Sequence, residues 1–85
     1  MGHYLYILQS KSSSKFYVGI SDNPKRRLEF HNTIEKGFTS RYRPWEIVFL
    51  KEYANKAEAL YNERKIKSWK SRKQIEKVIT GEIEI

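Results

Sequence analysis

No cysteine occurs among the 85 residues, and proline (two), glycine (four) and methionine (one) are scarce. Without thiols, disulfides and cysteine-based zinc sites are excluded, and a reducing, cytoplasmic location is the expectation. No apolar run approaches the roughly 20 residues that a membrane span needs, so no membrane partner is expected. The start, "MGHYLYILQS", lacks the basic leader and apolar stretch of a signal peptide. Met1-Gly2 makes a poor acylation signal, because Tyr6 stands where serine or threonine is usual. Acidic residues are also few: 10 Asp and Glu face 17 Lys and Arg, a net charge of +7. Such an excess points to polyanionic partners, nucleic acid first, with plain solubility as the alternative.

What is present is a patterned chain, expected to form a single domain over 1–85 with its core at about 3–79. Aromatic residues make up 14% of it, which helps so short a chain bury enough surface to fold. "HYLYILQ" is apolar on both faces, as a central strand requires, and "SKSSSK" (Ser10 to Lys15) reads as a polar, flexible hairpin loop. "KFYVGIS" alternates, with Phe16, Val18 and Ile20 on the core face and Tyr17, Gly19 and Ser21 opposite. Asn23-Pro24 starts a helix running to about Glu35, which Gly37 stops. "FTSRYRP" reads as a loop. "WEIVFLKEY" follows as a third strand, with Trp45, Ile47 and Phe49 on one side and Val48 and Leu50 on the other. Asn55 caps a helix from Lys56 to about Trp69, Glu58 completing a capping-box-like start; a shorter helix spans about Arg72 to Ile79 and ends near Gly81. "GEIEI" at the end is compatible with a frayed tail or an edge strand. The sum is an α+β fold: one small sheet with helices packed on it.

Some polar residues fall in unexpected places. At about 100° per residue, His31 lies about 40° from Arg27, and both sit at the centre of the first helix's apolar arc. Burying that arc half-buries a guanidinium, which calls for an anion or a hydrogen-bonding wall; the alternative is an arginine snorkelling past the core edge. On the second long helix Glu63 lies between Leu60 and the Ala59–Ile66 edge. From the helix alone, an ordinary i,i+4 ion pair with Lys67 is the favoured account of it. Tyr6 and Tyr17 lie on adjacent strands, and the small Gly19 and Ser21 beside Tyr17 leave space over the sheet for a ligand. Their alternative role is packing, with hydroxyls at the rim. Together these residue types suit phosphodiester hydrolysis: an activated water, a cation for developing negative charge, and a carboxylate able to hold Mg²⁺. Neither a second carboxylate patterned for two metals, nor a serine triad, nor a glycine-rich phosphate loop is visible.

"YLY" at Tyr4 to Tyr6, "YVG" at Tyr17 to Gly19, "RRLEFH" at Arg26 to His31 and "ALYNERKIK" at Ala59 to Lys67 resemble, in order and spacing, the GIY-YIG nuclease domain. The likeness is nearest to the small stand-alone bacterial proteins of that superfamily, described as excinuclease C-subunit-like. It implies a three-stranded antiparallel sheet flanked by helices in the order β-β-α-β-α-α. It also implies cleavage of nucleic acid, DNA rather than RNA, with one divalent ion, Mg²⁺ or Mn²⁺. By position it assigns catalytic roles to Tyr6, Tyr17, Arg27 (at the scissile phosphate), His31 and Glu63, the last as metal ligand. There are departures. Tyr4 stands in place of the first motif's glycine, Ile20 in place of a lysine found in the repair incision nucleases, and no counterpart is placed for an asparagine some relatives use.

Without the extra DNA-reading domain of homing nucleases, the grip on substrate is expected from basic segments. These are "RYR", with Arg41 and Arg43, and the stretch Lys56 to Lys77, which includes Lys67 and Lys70 and carries eight basic residues against three glutamates. Contact through phosphates gives salt-sensitive binding with little sequence readout. The first reading is thus a metal-dependent endonuclease, DNA repair included, acting on structured or damaged DNA, with a protein partner as one source of specificity. The alternatives are a nucleic-acid-binding module with little turnover, or an adaptor docking on a repair or mobile-element protein.

Overall fold

The computed structural model describes residues 2–33 and 38–85. Strand β1 (His3–Ser10) is central, hydrogen-bonded to β2 (Phe16–Ser21) on one side and β3 (Trp45–Tyr53) on the other, and both pairings are antiparallel. Leu5 to Leu8 are all buried, as the two-sided apolar pattern of β1 predicts. Cross-strand neighbours share a face, so the sheet carries two cores. Leu5, Ile7 and Val18 face one side; Tyr6, Leu8 and Trp45 face the other.

The first face is covered by α3 (Lys56–Trp69) and α4 (Arg72–Thr80), through Ala59, Ile66 and Val78. The second is covered by α1 (Pro24–Thr33), through Leu28 and His31. The helix starts follow from side-chain caps that satisfy otherwise orphaned amides. Asn23 Oδ1 accepts from Arg26 N, Asn55 Oδ1 from Glu58 N, and Ser71 Oγ from Gln74 N. Asn55 Nδ2 also donates to the Glu58 carboxylate. Gly81, at φ 88°, ends α4 with its amide on the Val78 carbonyl; that left-handed geometry is natural for glycine.

The predicted order of strands and helices holds, with one addition. The segment expected as a loop contains a single helical turn, α2 (Phe38–Arg41). The expected ends of α1 at Glu35 and Gly37 lie outside the described residues. A second difference concerns β3. Ile7 pairs with Phe49 but Leu8 pairs with Ile47, leaving Val48 as a bulge. An extra residue inverts the alternation beyond it, so Phe49 joins Val48 in the α3–α4 core rather than siding with Trp45 and Ile47. Leu50 instead opposes Tyr6 and is half exposed.

The hairpin loop is less free than its composition implies. Ser10 is buried, its Oγ donating to the Tyr42 carbonyl and accepting from the amides of Ser12 and Ser13. Residues 81–85 form no strand; Ile83 N donates to the Lys77 carbonyl, and Ile83 and Ile85 pack on the α3–α4 core. No helix among the described residues is long and apolar enough to cross a membrane.

Candidate active site

The β-hairpin and α1 bring Tyr6, Tyr17 and His31 together. Tyr6 and His31 are 1% and 0% exposed, and Tyr6 Oη lies 3.0 Å from His31 Nε2. Tyr17 is half-buried at the edge strand, its ring 4.7 Å from the His31 ring and 6.4 Å from that of Tyr6. Trp45, not singled out in the sequence, closes this cluster with its ring set edge-on to Tyr17. Only its place at the start of an alternating strand hinted at it.

Gly19 has a different function from the one its size suggested. It pairs with Tyr6 across the hairpin, and a Cβ there would stand 2.6 Å from Tyr6 Oη and 2.7 Å from Cζ. The space over Gly19 is therefore taken by the Tyr6 ring, which reaches His31 by lying across bare backbone. That is a correction to the expectation of a ligand space at this point.

The end of α1 is latched to β3. The Asn32 side chain donates to the Trp45 carbonyl and accepts from the Trp45 amide, while Arg43 Nε donates to the His31 carbonyl. Arg43, expected at the nucleic-acid surface, thus fixes the backbone of His31; Arg41 is exposed on α2.

Helix α3 packs on the opposite face but reaches round the edge at β2. Lys67 Nζ stands 5.8 Å above the Tyr17 ring and 3.5 Å from Glu63 Oε2. Glu63 borders the buried Ala59–Ile66 side of α3, and its side chain is 15% exposed. The i,i+4 ion pair expected for Glu63 exists, and its lysine stands over the Tyr17 ring. Arg27 is half-buried, one turn before His31, with its guanidinium 4.8 Å from the centre of the Phe30 ring. It lines a cavity of about 370 Å³ with Ser21, Asp22, Lys56 and His3. Lys56 thereby joins Arg27, whereas Lys70 lies elsewhere, in a groove along the β2 edge.

Among the described residues no three His, Cys, Asp or Glu side chains gather to hold a metal. A lone, accessible carboxylate is the donor set of a hard divalent ion that keeps most of its waters and completes its shell with a substrate phosphate. Glu63 meets that requirement in part: its side chain is 15% exposed, and its half-exposed partner Lys67 is the group an ion would displace.

The profile of the GIY-YIG catalytic domain matches residues 2–76. A UPF0213 protein of Oceanobacillus iheyensis is 38% identical over 66 residues, 76% of each chain. One from Staphylococcus haemolyticus is 37% identical over 79 residues, 91% of this chain and 93% of its own. The structure-specific endonuclease subunit slx1 of Pyrenophora tritici-repentis is 45% identical over 47 residues, 49% of this chain but 13% of that longer protein. Among solved structures, the solution NMR structure of the UPF0213 protein BH0048 from Bacillus halodurans superposes with TM-score 0.61 at 28% identity, covering 94% of this chain and 84% of that one. Profile, sequence and fold agree, and the chain belongs to the GIY-YIG catalytic domain family.

Proposed function

We propose that this protein is a divalent-metal-dependent endonuclease that hydrolyses phosphodiester bonds in DNA. The observation that carries the reading is the position of Tyr17. It lies between the buried Tyr6–His31 pair and the Lys67–Glu63 pair, at the edge where a substrate can approach.

Glu63 would hold the ion, Mg²⁺ or Mn²⁺, which when bound supplies positive charge to the phosphate and the leaving oxygen. Tyr17 is the base that takes a proton from the attacking water, because it is half exposed while Tyr6 is almost wholly enclosed. Tyr6 and His31 hold the wall against which Tyr17 packs. Arg27 offers the fork that matches phosphate oxygens and takes up negative charge developing there. Exposed cations, Arg41 and Lys56 among them, hold the backbone with little preference for sequence. A partner protein supplying further specificity, a cytoplasmic setting and structured or damaged DNA as substrate complete the reading.

Labelled single-stranded, duplex, flapped and branched DNAs, with RNA counterparts, incubated with Mg²⁺, Mn²⁺ or EDTA, test it. Metal-dependent cutting of DNA that disappears in folded Glu63→Ala and Arg27→Ala is the expected result. Tight binding without cutting of any substrate replaces the enzyme with a nucleic-acid-binding module of the same fold.

A further inference from the structure

Along the β2 edge, between that strand and the junction of α3 with α4, runs an open groove of about 420 Å³. Its floor is apolar, with half-buried Phe16 and Ile75 and buried Val18 and Ile66; its rim is cationic, with Lys15, Lys67, Lys70 and Arg72, and no carboxylate among the described residues lines it. The size is within the range of about 300–1,000 Å³ typical of small-ligand sites. One end opens beside Tyr17, so the groove begins where the candidate active site ends.

The rim is held in place. Arg72 stands with its guanidinium 4.6 Å from the centre of the Phe16 ring, donates to the Ser14 carbonyl at 2.6 Å, and has Glu76 at 3.5 Å. Lys15 stands 5.3 Å over the Tyr42 ring. Lys70 caps α3 in the left-handed region, at φ 48°. An apolar floor inside a cationic rim is what a nucleotide needs, since its base is flat and poorly hydrated and its phosphate is anionic. A continuous duplex, with its bases stacked inside, offers the groove phosphates but nothing for the floor.

We propose that this groove holds one unpaired nucleotide of a single-stranded DNA segment next to the cleavage centre, its base on the half-buried Phe16 and Ile75 and its phosphate among Lys15, Lys70 and Arg72. The assignment deepens the nuclease reading and rests on it for the neighbouring chemistry. It makes junctions between paired and unpaired DNA the preferred class of substrate.

Binding of a fluorescent oligothymidylate and of a blunt duplex, measured by anisotropy in EDTA across a salt series, tests the groove without relying on turnover. The double variant Lys15→Gln/Lys70→Gly removes two rim cations, and glycine suits the left-handed geometry at 70. It is expected to weaken oligothymidylate binding about tenfold and to lower the salt slope by about 1 to 1.5, with a smaller loss for the duplex. Phe16→Leu, which keeps the packing apolar, is expected to weaken the single strand selectively with the salt slope retained. Equal losses for both DNAs, no loss in either variant, or no oligothymidylate binding by the wild type overturns the assignment. Selective loss in a protein that cuts no DNA with Mg²⁺ supports the groove while overturning the nuclease.

Discussion

Tyr6 of the central strand and His31 of the first helix meet through a 3.0 Å hydrogen bond in a region neither side chain shares with solvent. A buried polar group that loses its partner costs about 1–3 kcal/mol. Tyr6→Phe therefore lowers stability by that amount, and melting falls by about 4–8 °C per kcal/mol in a domain of this size. Tyr17→Phe, at the half-exposed edge, leaves melting nearly unchanged but lowers the cleavage rate about 100-fold or more, the usual contribution of a positioned base. Thermal scans and single-turnover kinetics on both variants check the division. Full activity in Tyr17→Phe would move the base to Tyr6.

Lys67 occupies the carboxylate that is proposed to hold the ion. Lys67→Gln removes that competition, so the Mg²⁺ concentration giving half-maximal cleavage is expected to fall about two- to fivefold, in keeping with a pair worth less than about 1 kcal/mol. A Mg²⁺ titration of the cleavage rate reads this directly. An unchanged midpoint would mean that Glu63 is not the ion's ligand or that Lys67 does not compete for it.

Gly19→Ala sets a methyl group against the buried Tyr6 ring. Overpacking of this kind costs about 1–3 kcal/mol, and here it also displaces the hydroxyl that meets His31. Urea unfolding is expected to show the loss with an unchanged m-value. A stable Gly19→Ala with full activity would mean that Tyr6 can be moved without consequence.

Tyr53 is buried and its hydroxyl finds no hydrogen-bond partner among the described residues. Burial first, and then the Glu58 carboxylate, raise its pKa above the ordinary phenol value. Below about pH 10 the group is neutral in both folded and unfolded chains; above it the unfolded chain ionises first, and stability is lost as pH rises. Tyr53→Phe is expected to be neutral or slightly stabilising at pH 7 and to flatten the alkaline decline in melting temperature. A steeper decline in the variant would show that the hydroxyl is satisfied in solution.

Much of this was legible in the sequence, and the exceptions share a cause. Strand order follows from the two-sided apolarity of β1, and the helix starts from Asn23 and Asn55, because both are local signals. His31 is as buried as its place in the α1 arc predicts. Arg27, at the centre of the same arc, is only half-buried and borders a cavity instead. The side of β3 taken by Phe49 was misread, since a bulge depends on the partner strand rather than on the strand's own pattern. Leu60, which the sequence places beside Glu63 on α3, lies outside both cores, while the smaller Ala59 is fully buried. Which flank of a helix faces the sheet is a property of the pair in contact. Gly19 was noticed for the room it leaves, and only tertiary structure shows that a ring from the same hairpin fills it.

The central strand sends Leu5 and Ile7 into one core and Tyr6 and Leu8 into the other. A slip of one residue would exchange these sets, so the position of the Tyr6 hydroxyl is tied to the burial of its neighbours. Local fraying is then a poor route to inactivation: the amides of β1 should exchange with solvent only through opening of the whole domain. Loss of the tyrosine–histidine contact and loss of the fold become a single cooperative event.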